Sequence, residues 1–183
     1  MLIVDVQDRL LSVIPDRERL MWTLQRLAAG AQILGVPCLA TEQYPEKLGP
    51  TSPRLQPYLS HGTGPGESIP GKLTFSCVGC DSLVRQVEQL GRRQVLVTGL
   101  ETHVCVLQTA LDLVTAGYDV YLAVDAVATR NRLDHEIALR RMELAGVTLM
   151  TIESALFEWC ERAGTQQFKE ISQIVRQTFA ADQ

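Results

Sequence analysis

The chain has 183 residues, a formal net charge of −4, and 46% hydrophobic and 21% charged residues, the usage of an ordinary globular protein that can bury a sizeable core. An acidic balance without a basic block or aromatic-basic interleaving gives no reason to expect nucleic acid as a partner, and no apolar run is long enough to span a bilayer. Met1 leads straight into Leu2-Ile3-Val4 and Asp5 with no charged n-region or cleavage site, so the expectation is a cytoplasmic protein with one domain over residues 1–183.

Residues 1–6 read as a short buried strand ending at Asp5, followed by Gln7 and Asp8. From Arg17, the residues Leu20, Trp22, Leu24, Leu27, Ala28, Ala31 and Leu34 make an apolar stripe at helical spacing, closed by Gly35. A second strand is expected over 36–40, around Pro37. Thr41-Glu42-Gln43-Tyr44-Pro45 then opens a Pro- and Gly-rich stretch to Gly71, which is too long for a plain connector and is expected to carry a short strand over 68–72. A helix over 81–90 stops at Gly91. Val95-Leu96-Val97 form the central strand, which stops at Gly99.

Cys105 opens the next helical pattern, with Val106, Ala110, Leu113 and Val114 on one face and Gly117 at its end. A strand over 118–124 ends at Asp125. Asp134 is the expected N-cap of a helix closed by Gly146. A last strand over 147–152 is followed by a helix that Ser154 would cap. The segment 166–183 is a C-terminal helix, with Phe168, Ile171, Ile174, Val175 and Phe179 at near-helical spacing; packing on its own domain is the plainer reading and a subunit contact the sharper one. Strands and helices alternating at this spacing imply an α/β fold, a parallel sheet with helices on both faces.

There are five cysteines, Cys38, Cys77, Cys80, Cys105 and Cys160. An odd count without a secretory leader argues for reduced thiols. Cys77 and Cys80 form a C-x-x-C with no second ligand pair for a structural zinc. A redox dithiol is one reading of it, and two incidental thiols at a helix start the plainer one.

In an open parallel sheet, ligands bind beyond the carboxyl ends of the strands. Asp5, Lys72 and Cys105 all fall there. Singly, each has an ordinary role as loop cap, surface lysine or core cysteine. Together they form a nucleophile site in which Lys72 favours the thiolate and Asp5 takes and returns a proton. A helix N-terminus would also lower the Cys105 pKa, from about 8.5 toward neutrality. His103 offers a rival Cys–His dyad, but two residues before the thiol in a tight turn it ranks behind Asp5 as base. His61 and His135 read as a loop residue and an exposed helix residue.

Three separated motifs, Leu2-Ile3-Val4-Asp5-Val6-Gln7, Gly71-Lys72 with Phe75-Ser76, and Thr98-Gly99-Leu100-Glu101-Thr102-His103-Val104-Cys105-Val106, resemble the isochorismatase-like cysteine hydrolase family. The resemblance implies a three-layer sandwich around a six-stranded parallel sheet. It also implies an Asp5, Lys72, Cys105 triad, a cis peptide at Leu100-Glu101, and an oxyanion hole from the Glu101 and Cys105 N–H groups. Gln7, Gln43, Tyr44 and Thr102 are the candidate substrate-binding residues. Nicotinamidases of the family carry an Asp-x-His metal motif where this chain has Thr41-Glu42-Gln43, so no metal or other cofactor is implied. The loop is similar to that of the metal-free isochorismatase-domain-containing subgroup. The expectation is a homo-oligomeric hydrolase of a small amide or related C–N bond through a thioester, with a catalytically silent binding or scaffold protein as the alternative.

Overall fold

The computed structural model describes residues 1–59 and 68–180. Its sheet has six strands, β1 (Leu2–Val4), β2 (Leu39–Gln43), β3 (Gly71–Lys72), β4 (Gln94–Leu100), β5 (Asp119–Ala128) and β6 (Thr148–Met150). They lie in the order β3-β2-β1-β4-β5-β6, and every pairing is parallel. The expected α/β fold is the observed one. Chain order runs outward from β1 in one direction and from β4 in the other, so the switch point falls between these two neighbours.

Period-two alternation within the strands sends side chains to opposite faces. Ile3, Leu96 and Leu100 join one apolar cluster, while Leu2, Val4, Val95 and Val97 join another. The first cluster is completed by helices α2 (Arg17–Ile33), α7 (Ile152–Cys160) and α8 (Gln166–Val175), through Leu24, Leu27, Leu156 and Ile171. The second is completed by α4 (Asp81–Gln89), α5 (Leu107–Thr115) and α6 (Arg132–Leu144), through Leu83, Ala110, Leu113 and Met142. Two short helices, α1 (Asp8–Leu11) and α3 (Pro45–Leu48), follow β1 and β2. No helix among the described residues is long and apolar enough to cross a membrane.

Several boundaries differ from the sequence reading for local reasons. β2 begins beyond Pro37, which has no N–H for a ladder, and runs on through polar residues to Gln43, all buried. β5 continues past Asp125 to Ala128, because the Asp125 carboxylate has a partner: it accepts the Ile152 N–H at 2.9 Å. Asn131 occupies the N-cap position of α6, and Asp134 lies one turn inside it, accepting the Asn131 amide at 3.1 Å. Thr151 caps α7, and Ser154 is the reciprocal member of that capping box. α8 stops at Val175; beyond it Phe179 packs on Trp22, with ring centroids 5.6 Å apart.

Three non-glycine residues with positive φ stand at the carboxyl ends of adjacent strands: Asp5 (54°) after β1, Tyr44 (38°) after β2 and Glu101 (57°) after β4. Left-handed backbone costs an L-residue roughly 1–2 kcal/mol. Its clustering at the switch point marks where the chain is held in unfavourable turns to aim side chains.

Candidate active site

Asp5 follows β1 in its left-handed turn and is fully buried. Its Oδ2 accepts Lys72 Nζ at 2.7 Å and its Oδ1 accepts the Thr41 hydroxyl at 2.8 Å. Lys72, in β3, has no exposed side-chain surface. Its ammonium also donates to Gln43 Oε1 at 2.7 Å and to the carbonyls of Phe75 and Thr74 at 2.9 and 3.3 Å. A buried ion pair is tolerated only when its remaining hydrogen-bonding capacity is met, and these neighbours meet it.

The thiol of Cys105 joins this pair. Its Sγ donates to Gln43 Oε1 at 3.9 Å and lies close enough to Asp5 to feel its charge. The first turn after β4 is not α-helical: Thr102–Val106 form a π-helical turn, and the regular helix α5 starts only at Leu107. Cys105 is therefore inside a widened turn, 4% exposed. The expected thiolate is not what this environment favours. Burial and the adjacent Asp5 carboxylate push the Cys105 pKa far up, and Lys72 opposes them only in part. This environment favours a neutral thiol.

The expected cis peptide at Leu100-Glu101 is not present; among the described residues every peptide bond is trans. The chain turns here through Gly99 at φ 124° and Glu101 at φ 57°, ψ 66°. The magnitudes favour this solution, since a non-proline cis bond costs about 2.5–4 kcal/mol and a left-handed residue about 1–2. The Glu101 side chain is fixed as well. Arg130 Nε and an Nη reach its two oxygens at 3.1 and 3.3 Å, and Thr129 Oγ1 stands at 3.5 Å. His103 turns into this group, with Nδ1 2.9 Å from Thr129 Oγ1 and 3.7 Å from Glu101 Oε2, which leaves no Cys–His dyad.

The remaining candidates divide. Gln43 is in the site. Gln7 is behind it, wholly buried, its Oε1 accepting the Gln43 N–H at 2.8 Å and its Nε2 donating to the Gln43 and Gly49 carbonyls. With its amide used on backbone, Gln7 braces the loop that carries Gln43 and has no free group for a substrate. Tyr44, 41% exposed, stands at the rim. Thr102 is buried, its hydroxyl 3.0 Å from His135 Nδ1. His135 is thus half-buried and bonded, not the exposed residue expected, and burial lowers its pKa. His61 lies outside the described residues.

Sequence reading missed Thr41, Cys77, Thr129 and Arg130. Cys77 Sγ is 3.3 Å from Thr41 Oγ1, and burial followed by the Asp5 charge raises its pKa to about 11. A high thiol pKa does not suit a redox dithiol with Cys80. The missed signal was positional: Thr129-Arg130 follow the carboxyl end of β5, where the strand-end rule would have placed them had that strand been drawn to full length, while Thr41 lies inside β2, opposite Val4 at the end of β1. Among the described residues no group of three or more His, Cys, Asp and Glu side chains could hold a metal; the nearby Glu42 carboxylate is taken by the Thr51 N–H at 2.6 Å.

A doubly wound parallel sheet with a buried carboxylate, ammonium and thiol gathered at the carboxyl ends of its strands defines an α/β protein, and such ends are where open parallel sheets bind ligands. Residues 1–154 match the isochorismatase domain family, and the chain belongs to it. Isochorismatase domain-containing protein 1 of Danio rerio is 36% identical over 172 residues, 94% of this chain and 59% of that protein; the chain thus spans less than two thirds of that relative's length. The MAR1 ribonuclease of Caenorhabditis elegans superposes with a TM-score of 0.85 at 32% identity, over 97% of this chain and 88% of that one. The ycaC gene product of Escherichia coli, described as an octameric hydrolase of unknown specificity, superposes with a TM-score of 0.83 at 26% identity, over 94% and 85%.

Proposed function

We propose that this protein hydrolyses a small amide or related C–N bond through a covalent thioester on Cys105. The observation that carries the reading is the fully buried Asp5–Lys72 pair with the Cys105 thiol joined to it through Gln43 Oε1, which accepts from both the ammonium and the thiol. As the sulfur attacks the substrate carbonyl, a C–S bond forms and the thiol proton passes to Asp5. The N–H groups of Glu101 and Cys105 would stabilise the oxyanion, a contribution of roughly 3–4 kcal/mol where such donors have been removed from other enzymes. Collapse breaks the C–N bond, and the amine leaves with the proton from Asp5. Water then attacks the thioester, Asp5 takes a proton from it, and the sulfur leaves as the thiol with that proton restored.

Lys72 pairs with Asp5 and orients it, and Gln43 holds Lys72 and the sulfur in register. Tyr44 at the rim and the Thr102 turn are the surfaces left for substrate. The reading assigns no metal or other cofactor, and it assigns a cytoplasmic location. A phosphodiester is not favoured at this thiol, because the neighbouring ammonium is already neutralised by Asp5. The octameric state of the Escherichia coli relative supports a homo-oligomer here too.

The test is a hydrolysis screen over small amides, ureides and carbamoyl compounds, with rapid-quench mass spectrometry of the protein. Turnover accompanied by an acyl adduct on Cys105, both absent from Cys105→Ala, is the expected result. A Cys105→Ala variant as active as the parent would overturn the mechanism. No turnover and no adduct with any compound would put the silent binding protein ahead.

A further inference from the structure

Helix α6 is apolar on two opposite sides. One side carries Ala138 and Met142 into the core, at 1% and 0% exposure. The other presents Leu133, Ile137 and Leu144, spaced four and seven apart and so on one stripe, at 69%, 51% and 79% exposure. A helix apolar on both sides is one that is covered on both. Among the described residues only the inner side is.

We propose that α6 pairs with the α6 of a second copy of this chain, antiparallel about a two-fold axis, with the stripe of Leu133, Ile137 and Leu144 at the contact. The charges on the helix select this partner and this direction. Arg140 lies on the stripe, seven residues after Leu133; Glu136 flanks it on one edge, and Asp134 and Arg141 flank it on the other. A two-fold axis midway along the helix sets Leu133 against Leu144 of the partner subunit, Glu136 against the partner's Arg140, and Asp134 beside the partner's Arg141. Every pair occurs twice, as an isologous contact requires. Parallel pairing would instead oppose Arg140 to the partner's Arg140 at the centre of the stripe. The acidic first half and basic second half of α6 are therefore self-complementary in one orientation only.

This surface is continuous with the site. His135 on the inner side of α6 holds Thr102 of the catalytic turn, and His103 Nε2 stands 3.9 Å from Asp134 Oδ2, so the proposed contact borders the crevice.

The inference rests on the homo-oligomer reading and names its surface. The experiment is light scattering after size exclusion, on the full chain at micromolar concentration. Glu136→Arg and Arg140→Glu should each oppose like charges twice across the contact, and each should lower the measured mass to half that of the parent assembly or less. An equimolar mixture of the two single variants should recover the parent mass, because the added positive charge of one then faces the added negative charge of the other. The double variant E136R/R140E, with the two charges exchanged, should recover it alone. Circular dichroism and Tm keep a misfolded variant from being read as a dissociated one, and both sites lie on exposed turns. Parent mass retained by both single variants would overturn the α6 contact while leaving an oligomer built through another face. A monomeric parent would overturn the oligomer reading as well.

Discussion

Lys72 Nζ stands 2.7 Å from Asp5 Oδ2, and neither side chain has any exposed surface. Sixty-seven residues separate them along the chain, so the pair exists only because β2 brings β3 to the β1 side of the sheet. Breaking a buried pair by removing one partner leaves the other charge uncompensated, at a cost of about 3–5 kcal/mol. Lys72→Met should lose stability of that order in urea denaturation. Asp5→Asn with Lys72→Met should lose less than the two single losses added together, because the double variant buries no lone charge. Additive losses would mean that the two groups do not depend on each other.

Asp5→Asn separates proton transfer from thiol acidity. The Asp5 charge raises the Cys105 pKa and Lys72 lowers it, so deleting the carboxylate alone moves the thiol toward ionisation. Iodoacetamide labelling of Cys105 near pH 8, followed by peptide mapping, should be faster in Asp5→Asn than in the parent, whose Cys105 should label more slowly than the half-buried Cys160. Hydrolysis should nevertheless fall, by roughly 10²–10⁴, the usual worth of a positioned proton carrier. A variant that labels more slowly than the parent would contradict the assigned electrostatics.

What could be read from the residues and what could not follows the range of the forces involved. β-branched runs and helix-ending glycines are local, and they fixed the strand and helix order and put Asp5, Lys72 and Cys105 at strand ends. The ionisation of Cys105 depends on how dry the site is, which no local pattern encodes; the helix-terminus argument pointed to thiolate, and burial outweighs it. Gln7 beside Asp5 was taken for a substrate residue because motif proximity does not say which way an amide points. The Arg130–Glu101 fork joins residues 29 apart and depends on β5 running three residues past the Asp125 that looked like its end.

Alkaline stability follows from two other thiols. Burial raises the pKa of Cys38 and of Cys77 from 9.0 to about 11. With the folded value above the unfolded one, the stabilisation is complete below pH 9 and is lost as pH rises from about 9 to about 11, where the unfolded chain ionises first. Two units correspond to about 3 kcal/mol for each thiol. In calorimetry the parent should therefore lose Tm steeply between pH 8.5 and pH 10.5 in the scan, and Cys38→Ala, less stable at pH 8 because of its cavity, should lose less over the same interval. Parallel Tm curves would remove Cys38 from the account.

Gly99 sets how closely β4 approaches β1. Its φ is 124°, and an added Cβ would lie 2.2 Å from the Val4 carbonyl oxygen and 2.6 Å from the Val4 nitrogen. Both obstacles are backbone of the neighbouring strand, so no rotamer change can relieve them. Gly99→Ala should cost more than about 3 kcal/mol, which is a Tm loss of roughly 6–12 °C at this chain length. A Tm within 2 °C of the parent in the melting assay would mean that the strands part without cost.

Arg130 gives the clearest test of whether the Glu101 turn takes part in the reaction. Its guanidinium meets both Glu101 oxygens, yet its side chain is 57% exposed, and a solvated pair of that kind contributes at most about 1 kcal/mol to stability. The same fork, however, fixes a left-handed residue whose N–H is assigned to the oxyanion, where a misplacement of about 1 Å can cost up to a hundredfold in rate. Arg130→Ala should therefore keep its Tm within about 4 °C while kcat falls roughly tenfold to a hundredfold and KM changes little. Arg130→Lys, which keeps the charge but cannot fork, should recover only part of the rate. The measurement is steady-state kinetics on whichever substrate the hydrolysis screen finds. An unchanged kcat in Arg130→Ala would show that the Glu101 turn holds its geometry unaided, and a kcat that falls only in step with Tm would reduce Arg130 to a structural tie.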